Sequence, residues 1–202
     1  MLKYSPELTL RDARARYFEL NNFGKDGGYE DRWVKVKVGV FPLWFPNLPS
    51  RRRAVRYHDL HHILTEYGTT WRGEAEIGAW EVATGGGATA VGWLLDLLAF
   101  AVGLVIHPRG VYRAFLRGRH SANLFRARFD DALLAQEVGV MRRELRLGGG
   151  VRASVGDKAA FVAWALAGVA TYLASIFVLV APLVGAVWLL LRLSDRPGWL
   201  HF

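Results

Sequence analysis

Residues 58–74 read HDLHHILTEYGTTWRGE, and how this stretch folds decides what the rest of the chain must do around it. Three of the six histidines and three carboxylates lie inside it. On a helix, at 100° per residue, Asp59 falls about 100°, His62 about 40° and Glu66 about 80° from His58. His58 and His62, four apart, stand one above the other, and Asp59 and His62, three apart, are also neighbours. His61 points elsewhere, at about −60°. Gly68 is a suitable stop and GTTWRG a turn, so a helix over 51–67 returns through a second over 72–83. An antiparallel return brings Glu74 opposite His62. The expected ligands His58, Asp59, His62 and Glu74 form a borderline-to-hard set that suits Zn²⁺, Mn²⁺ or Fe²⁺. Without a metal they would have to pair with one another at a desolvation cost. HDLHH alone reads more readily as a polar helix start with no ligand role.

Outward from this pair the chain is apolar. Residues 88–106 carry one charge, Asp96, and residues 159–191 carry none. About twenty apolar residues span a bilayer as a helix, so 159–181 suffice. Pro182 is placed to kink or end that helix, and 183–193 are too few to span again unaided, so a membrane-embedded helix or hairpin is expected at the C-terminus. In 88–106 a central Asp96 would cost about 2.5–3.5 kcal/mol in lipid, which leaves a core or interfacial helix open beside a full span. Upstream, residues 7–20 read as a helix with Ser5 as N-cap and Pro6 at N1. Residues 32–45 alternate apolar and basic, as a short strand or extended arm, before a proline-rich connector over 41–50. Residues 111–147 read as helical and basic, closed by the glycines at 148–150. The expected fold class is all-α: an N-terminal arm over 1–50, a helical domain with a metal-binding helix pair over 51–150, and a hydrophobic membrane segment over 151–202.

Charge and composition narrow the function. Net charge is +8 and mean hydropathy is +0.14. Residues 1–87 hold thirteen basic against eleven acidic side chains, and residues 107–158 eleven against five. The second patch lies between two apolar stretches and has no nucleic-acid motif, so anionic lipid headgroups are its expected counter-charge, and no nucleic-acid partner is expected. There are no cysteines, which excludes disulfides, thiolate metal sites and cysteine nucleophiles. No GxSxG elbow supports a serine nucleophile. The opening residues lack the apolar core and small-residue cleavage site of a secretory signal. HxxHH matches one box of the membrane di-iron hydroxylases, but those enzymes need more histidines than the chain has.

His58-Asp59-x-x-His62, eleven residues, then Glu74 resembles the signature of the coenzyme Q biosynthesis protein 4 family. The Thr-Thr turn before Gly73–Glu74 and the Trp80–Glu81 pair are similar too, and a looser likeness covers 118–145. The resemblance implies a mostly helical, membrane-associated protein of ubiquinone biosynthesis. It implies a divalent metal, usually zinc, held by His58, Asp59, His62 and Glu74. The implied roles are oxidative decarboxylation at C1 of a polyprenylated benzoate and organisation of other quinone-biosynthesis enzymes. The long lipid would lie in a groove formed partly by 88–106. Arg51, Arg52, Arg53 or Arg56 would bind the ring carboxylate, a run that reads more readily as a solvated or headgroup-facing basic stretch, and Glu66 or Glu81 would act as general base or support a ligand. The arm over 1–50 and the segment over 159–193 depart from the family's pattern. A non-catalytic lipid-binding scaffold with a structural metal, and a metal-dependent lipid or phosphate-ester hydrolase, are the alternative readings; a homo-oligomer is compatible with each.

Overall fold

The structure, a computed structural model, describes residues 3–38, 41–150 and 152–194. It is mostly helical, as expected, with one β-hairpin. The first helix, α1 (Leu10–Asn21), starts later than the sequence predicts. Thr9, not Ser5, is the N-cap: its Oγ1 accepts from the Asp12 amide at 3.1 Å and donates to the Asp12 carboxylate at 2.6 Å. This bond satisfies one of the four amides that a helix starting at Leu10 leaves without an intrahelical partner. Strands β1 (Trp33–Val38) and β2 (Phe41–Pro46) pair antiparallel, Trp33 opposite Pro46, and so turn the expected arm into a hairpin.

The helix pair follows as α2 (Pro49–Thr65) and α3 (Trp71–Ala83). α2 ends two residues before the expected position, with Glu66 left-handed at φ 65°. Two arginines from distant segments take its last carbonyls: Arg142 bonds Ile63 and Leu64, and Arg117 bonds Thr65. These cations at the negative helix end come from the basic stretch assigned to lipid headgroups by charge alone, so part of that charge serves the fold. The turn is then pinched tight. A Cβ on Gly73 would stand 2.0 Å from the Gly68 carbonyl oxygen, so only glycine lets α3 start there and bring Glu74 back over α2.

α4 (Ala90–Ile106) and α5 (Pro108–Arg119) pack on α3. Gly78 makes the α3–α4 approach close enough that a Cβ would meet the Asp96 carbonyl at 2.9 Å. The expected helix over 111–147 stops at Arg119 and resumes only as α6 (Asp131–Leu134) and α7 (Val138–Glu144). Between them the Leu124 amide bonds His61 Nε2 at 2.9 Å, a donor that a continuous helix would have given to its own backbone. The core is continuous: Tyr4, Leu10, Tyr17, Phe18 and Tyr29 from the expected arm are buried with Leu60, Ile63, Trp80, Phe100 and Phe115.

The last helix, α8 (Val155–Ser194), runs through Pro182 without ending, so a hairpin is not formed. Ser154 and Asp157 cap its start reciprocally. Phe161 and Trp164 pack against Phe100, Phe115 and Trp93, and Gly168 is the last buried residue among those described. Beyond it the helix leaves the body, with Leu173, Phe177, Leu183, Trp188 and Leu190 exposed. Residues 169–191 rise about 35 Å, slightly more than a hydrocarbon core of about 30 Å. Val155–Arg192 is the one helix among the described residues long and apolar enough to cross a membrane, with a mean hydropathy of 2.5 over its best window.

Candidate metal centre

α2 and α3 bring three of the four expected ligands together. His58 Nε2 lies 3.1 Å from His62 Nε2 and 3.3 Å from one Glu74 oxygen, and His62 Nε2 lies 3.5 Å from the other. Donors held about 2.0–2.1 Å from one tetrahedral ion sit about 3.3 Å from each other, so these spacings match the edges of such a site.

Hydrogen bonds behind the rings fix which nitrogens are available. His62 Nδ1–H donates to the Tyr67 carbonyl at 3.1 Å, leaving the Nε2 lone pair facing the cluster. His58 Nδ1 lies 3.0 Å from Glu81 Oε2 and donates to it, which aims its Nε2 the same way. Two lone pairs facing each other at 3.1 Å repel unless a cation or proton lies between them. Burial pushes His58 toward neutrality, but Glu81 and Glu74 outweigh it and raise its pKa well above 6.5. A proton carried by His58 relieves that repulsion, as a divalent cation between the two atoms would. Glu74 is held below the usual carboxylate range because the two imidazoles outweigh its burial. The residues thus fit a divalent ion, held by His58, His62 and Glu74 with one position left open. Side-chain exposures of 36% for Glu74, 25% for His58 and 1% for His62 place that opening on the Glu74 side.

Asp59 is not brought into this group, whose donors lie within 4.8 Å of one another. It is buried, and Tyr29 Oη donates to its Oδ2 at 2.5 Å. Burial raises its pKa, opposed by the Tyr29 bond and the two histidines. Glu66 leaves the helix face altogether, and its Oε1 accepts from Arg142 at 2.8 Å and from the Lys3 amide at 3.0 Å. Glu81 does lie behind the site, fully buried and bonded to His58 and, at 2.6 Å, to His61 Nδ1. Although burial disfavours its charge, His58 and His61 hold its pKa well down. His61 Nε2 accepts from Leu124, so His61 is a neutral ring with both nitrogens used, and burial keeps it so.

Arg52, Arg53 and Arg56 do not reach the cluster. They point about 120–220° away from His58 around α2 and line a separate pocket that contains none of the three ligands. Arg51, on the inner face, donates to Asn47 Oδ1 at 2.9 Å and lies over Phe45.

Two further residues pack against the site from other helices. Asp96 lies beside Glu81 and His58, and burial together with the Glu81 charge raises its pKa well above the usual range. Its Oδ2 is buried without a hydrogen-bond partner among the described residues. Its isolation in an apolar run was the available signal. Tyr17 of α1 stacks on His62, ring centroids 5.7 Å apart, and no local pattern links the two.

No family model, curated protein or solved structure matches the chain.

Proposed function

We propose that the chain is a membrane-anchored, metal-dependent protein of ubiquinone or related isoprenoid-quinone biosynthesis that binds a prenylated ring compound at the bilayer surface. The observation that carries this reading is the pair of inward Nε2 atoms 3.1 Å apart with Glu74 on the open side, at the spacing that resembles the coenzyme Q biosynthesis protein 4 family. His58, His62 and Glu74 would hold the ion, with zinc proposed and Mn²⁺ or Fe²⁺ equally accommodated by the donors. A divalent cation there supplies Lewis-acid polarisation of a ring carboxylate.

The protein's own groups do the rest. Glu81 and the Tyr67 carbonyl hold the two rings in one orientation, so both Nε2 atoms stay directed inward. Half-exposed Glu74 leaves room for a head group to enter. α8 supplies the anchor: its bare segment fits the hydrocarbon thickness, and Arg192, 4.7 Å above the Trp188 ring, suits the headgroup level. The proposed reaction is oxidative decarboxylation at C1: the bond from C1 to the carboxyl carbon breaks to release carbon dioxide, C1 gains a hydroxyl whose oxygen comes from water, and the two electrons and two protons released reduce dioxygen to hydrogen peroxide.

The test is turnover of a polyprenyl hydroxybenzoate by the full chain in lipid nanodiscs, supplied in turn with zinc, manganese or iron and with dioxygen. Hydroxylated, decarboxylated product that disappears in Glu74→Ala is the expected result. Lipid binding without turnover would leave the organising role that the resemblance also implies. Neither binding nor turnover with any of the three metals would overturn the reading.

A further inference from the structure

The outer face of α2 presents a second site. Together with residues 126–129 it encloses a pocket of about 640 Å³ lined by Arg52, Arg53, Arg56, Arg126 and Arg128, with Tyr57 and Phe129 among its apolar walls. No carboxylate lines it. The neighbouring acids do not neutralise it: Arg52 and Arg56 share Glu30, at 3.8 and 3.5 Å, and Arg128 meets Asp130 at 3.5 Å. Arg53 and Arg126 are exposed and make no ion pair among the described residues. The wall is built rather than accidental. Tyr57 Oη donates to the Ala127 carbonyl at 2.8 Å, the Tyr57 ring meets Phe125 and Phe129 edge-on, and the Arg56 guanidinium lies over Phe129.

Helix electrostatics point the same way. α2 begins with Pro49, has no side-chain cap and no acid in its first turn, and places Arg51, Arg52 and Arg53 there instead. Positive side chains at the positive end of a helix are unfavourable, and an anion seated among them removes the conflict. Five planar guanidinium forks exceed what one carboxylate can engage but suit the several oxygens of a phosphoryl group. The aromatic wall accommodates an apolar or ring portion attached to it.

We propose that this pocket binds a ligand through a dianionic phosphoryl group, either a lipid headgroup ending in a phosphate monoester or a free phosphorylated or diphosphate compound. The site faces away from His58, His62 and Glu74 and does not depend on the metal reading.

The probe is inorganic pyrophosphate, titrated by calorimetry into the full chain in phosphatidylcholine nanodiscs. Binding should weaken at least tenfold in the double variant Arg53→Glu/Arg126→Glu. It should persist in Arg143→Glu/Arg152→Glu, which changes net charge equally elsewhere, and in His62→Ala. Circular dichroism confirms that each variant is folded. Repeating the titration with phosphatidic acid in the nanodisc separates the sources. Lost pyrophosphate binding there, with phosphatidylglycerol having no effect, assigns a membrane headgroup; unchanged binding assigns a free ligand. Absence of pyrophosphate binding in phosphatidylcholine, or equal weakening in both double variants, overturns the proposal.

Discussion

The two faces of α2 carry opposite kinds of polarity. On the inner face His62 is 1% exposed and each imidazole has one nitrogen fixed by a named partner. On the outer face the arginines are partly or fully exposed; Arg52 and Arg56 share Glu30, and Arg53 makes no ion pair among the described residues. Burial converts hydrogen bonds into geometry: a buried donor left unpaired is costly, so Glu81, Tyr67 and Tyr29 hold the inner groups in one orientation. Solvated arginines keep their freedom and act through charge and shape. One helix thereby offers a position for a single small cation on one side and a broad basin for an anion on the other.

The largest test of this contrast is Glu81→Gln. It removes the one anion that accepts from both His58 and His61, leaving a ring N–H unpaired in the core. Breaking a buried charged network of this kind costs about 3–5 kcal/mol, readable as a lowered denaturation midpoint in detergent. A change under 1 kcal/mol would show that the inner face is not held as described.

Tyr29→Phe is expected to cost about 1–3 kcal/mol, because Asp59 stays buried and loses its donor. It should leave the metal-to-chain ratio unchanged, since Asp59 stands outside the three-donor group; loss of metal in this variant would restore Asp59 as a ligand.

The pH dependence has a definite sign. His58 Nε2 must release its proton to bind a cation, and its pKa lies well above 6.5. Metal affinity should therefore climb about tenfold per pH unit, or about 1.4 kcal/mol, until pH passes that value. In the metal-free chain the contribution of charged His58 to stability is complete below 6.5 and is lost as pH rises through the raised value. Affinity independent of pH between 6 and 8 would contradict this. Smallest of all, Arg53→Ala on the outer face should shift stability by no more than about 0.5 kcal/mol, as exposed substitutions usually do. A larger loss would mean that this face, too, is structural.

Local spacing made much of this legible. The helix pair, the intervening turn and the His58, His62 and Glu74 convergence follow from helical period and one turn. What escaped depends on contacts far along the chain. Glu66 looked like a fourth member of the face, but Arg142, seventy-six residues on, pairs with it where the helix ends. Asp59 lies on the correct side of the helical wheel and is taken by Tyr29 from an earlier loop. Asp96 was readable as a cost of crossing lipid, while its place beside Glu81 and His58 required knowing that Gly78 lets α4 approach α3. α8 was read from composition alone, except that Pro182 does not break it.

The most direct test of the central claim is elemental analysis of the purified chain after equilibration with zinc, manganese or iron and removal of unbound ion. The account predicts about one divalent ion per chain in wild type and in Arg53→Glu/Arg126→Glu, and none in His62→Ala. A wild-type chain that retains no ion, or a His62→Ala chain that retains as much as wild type, would contradict it.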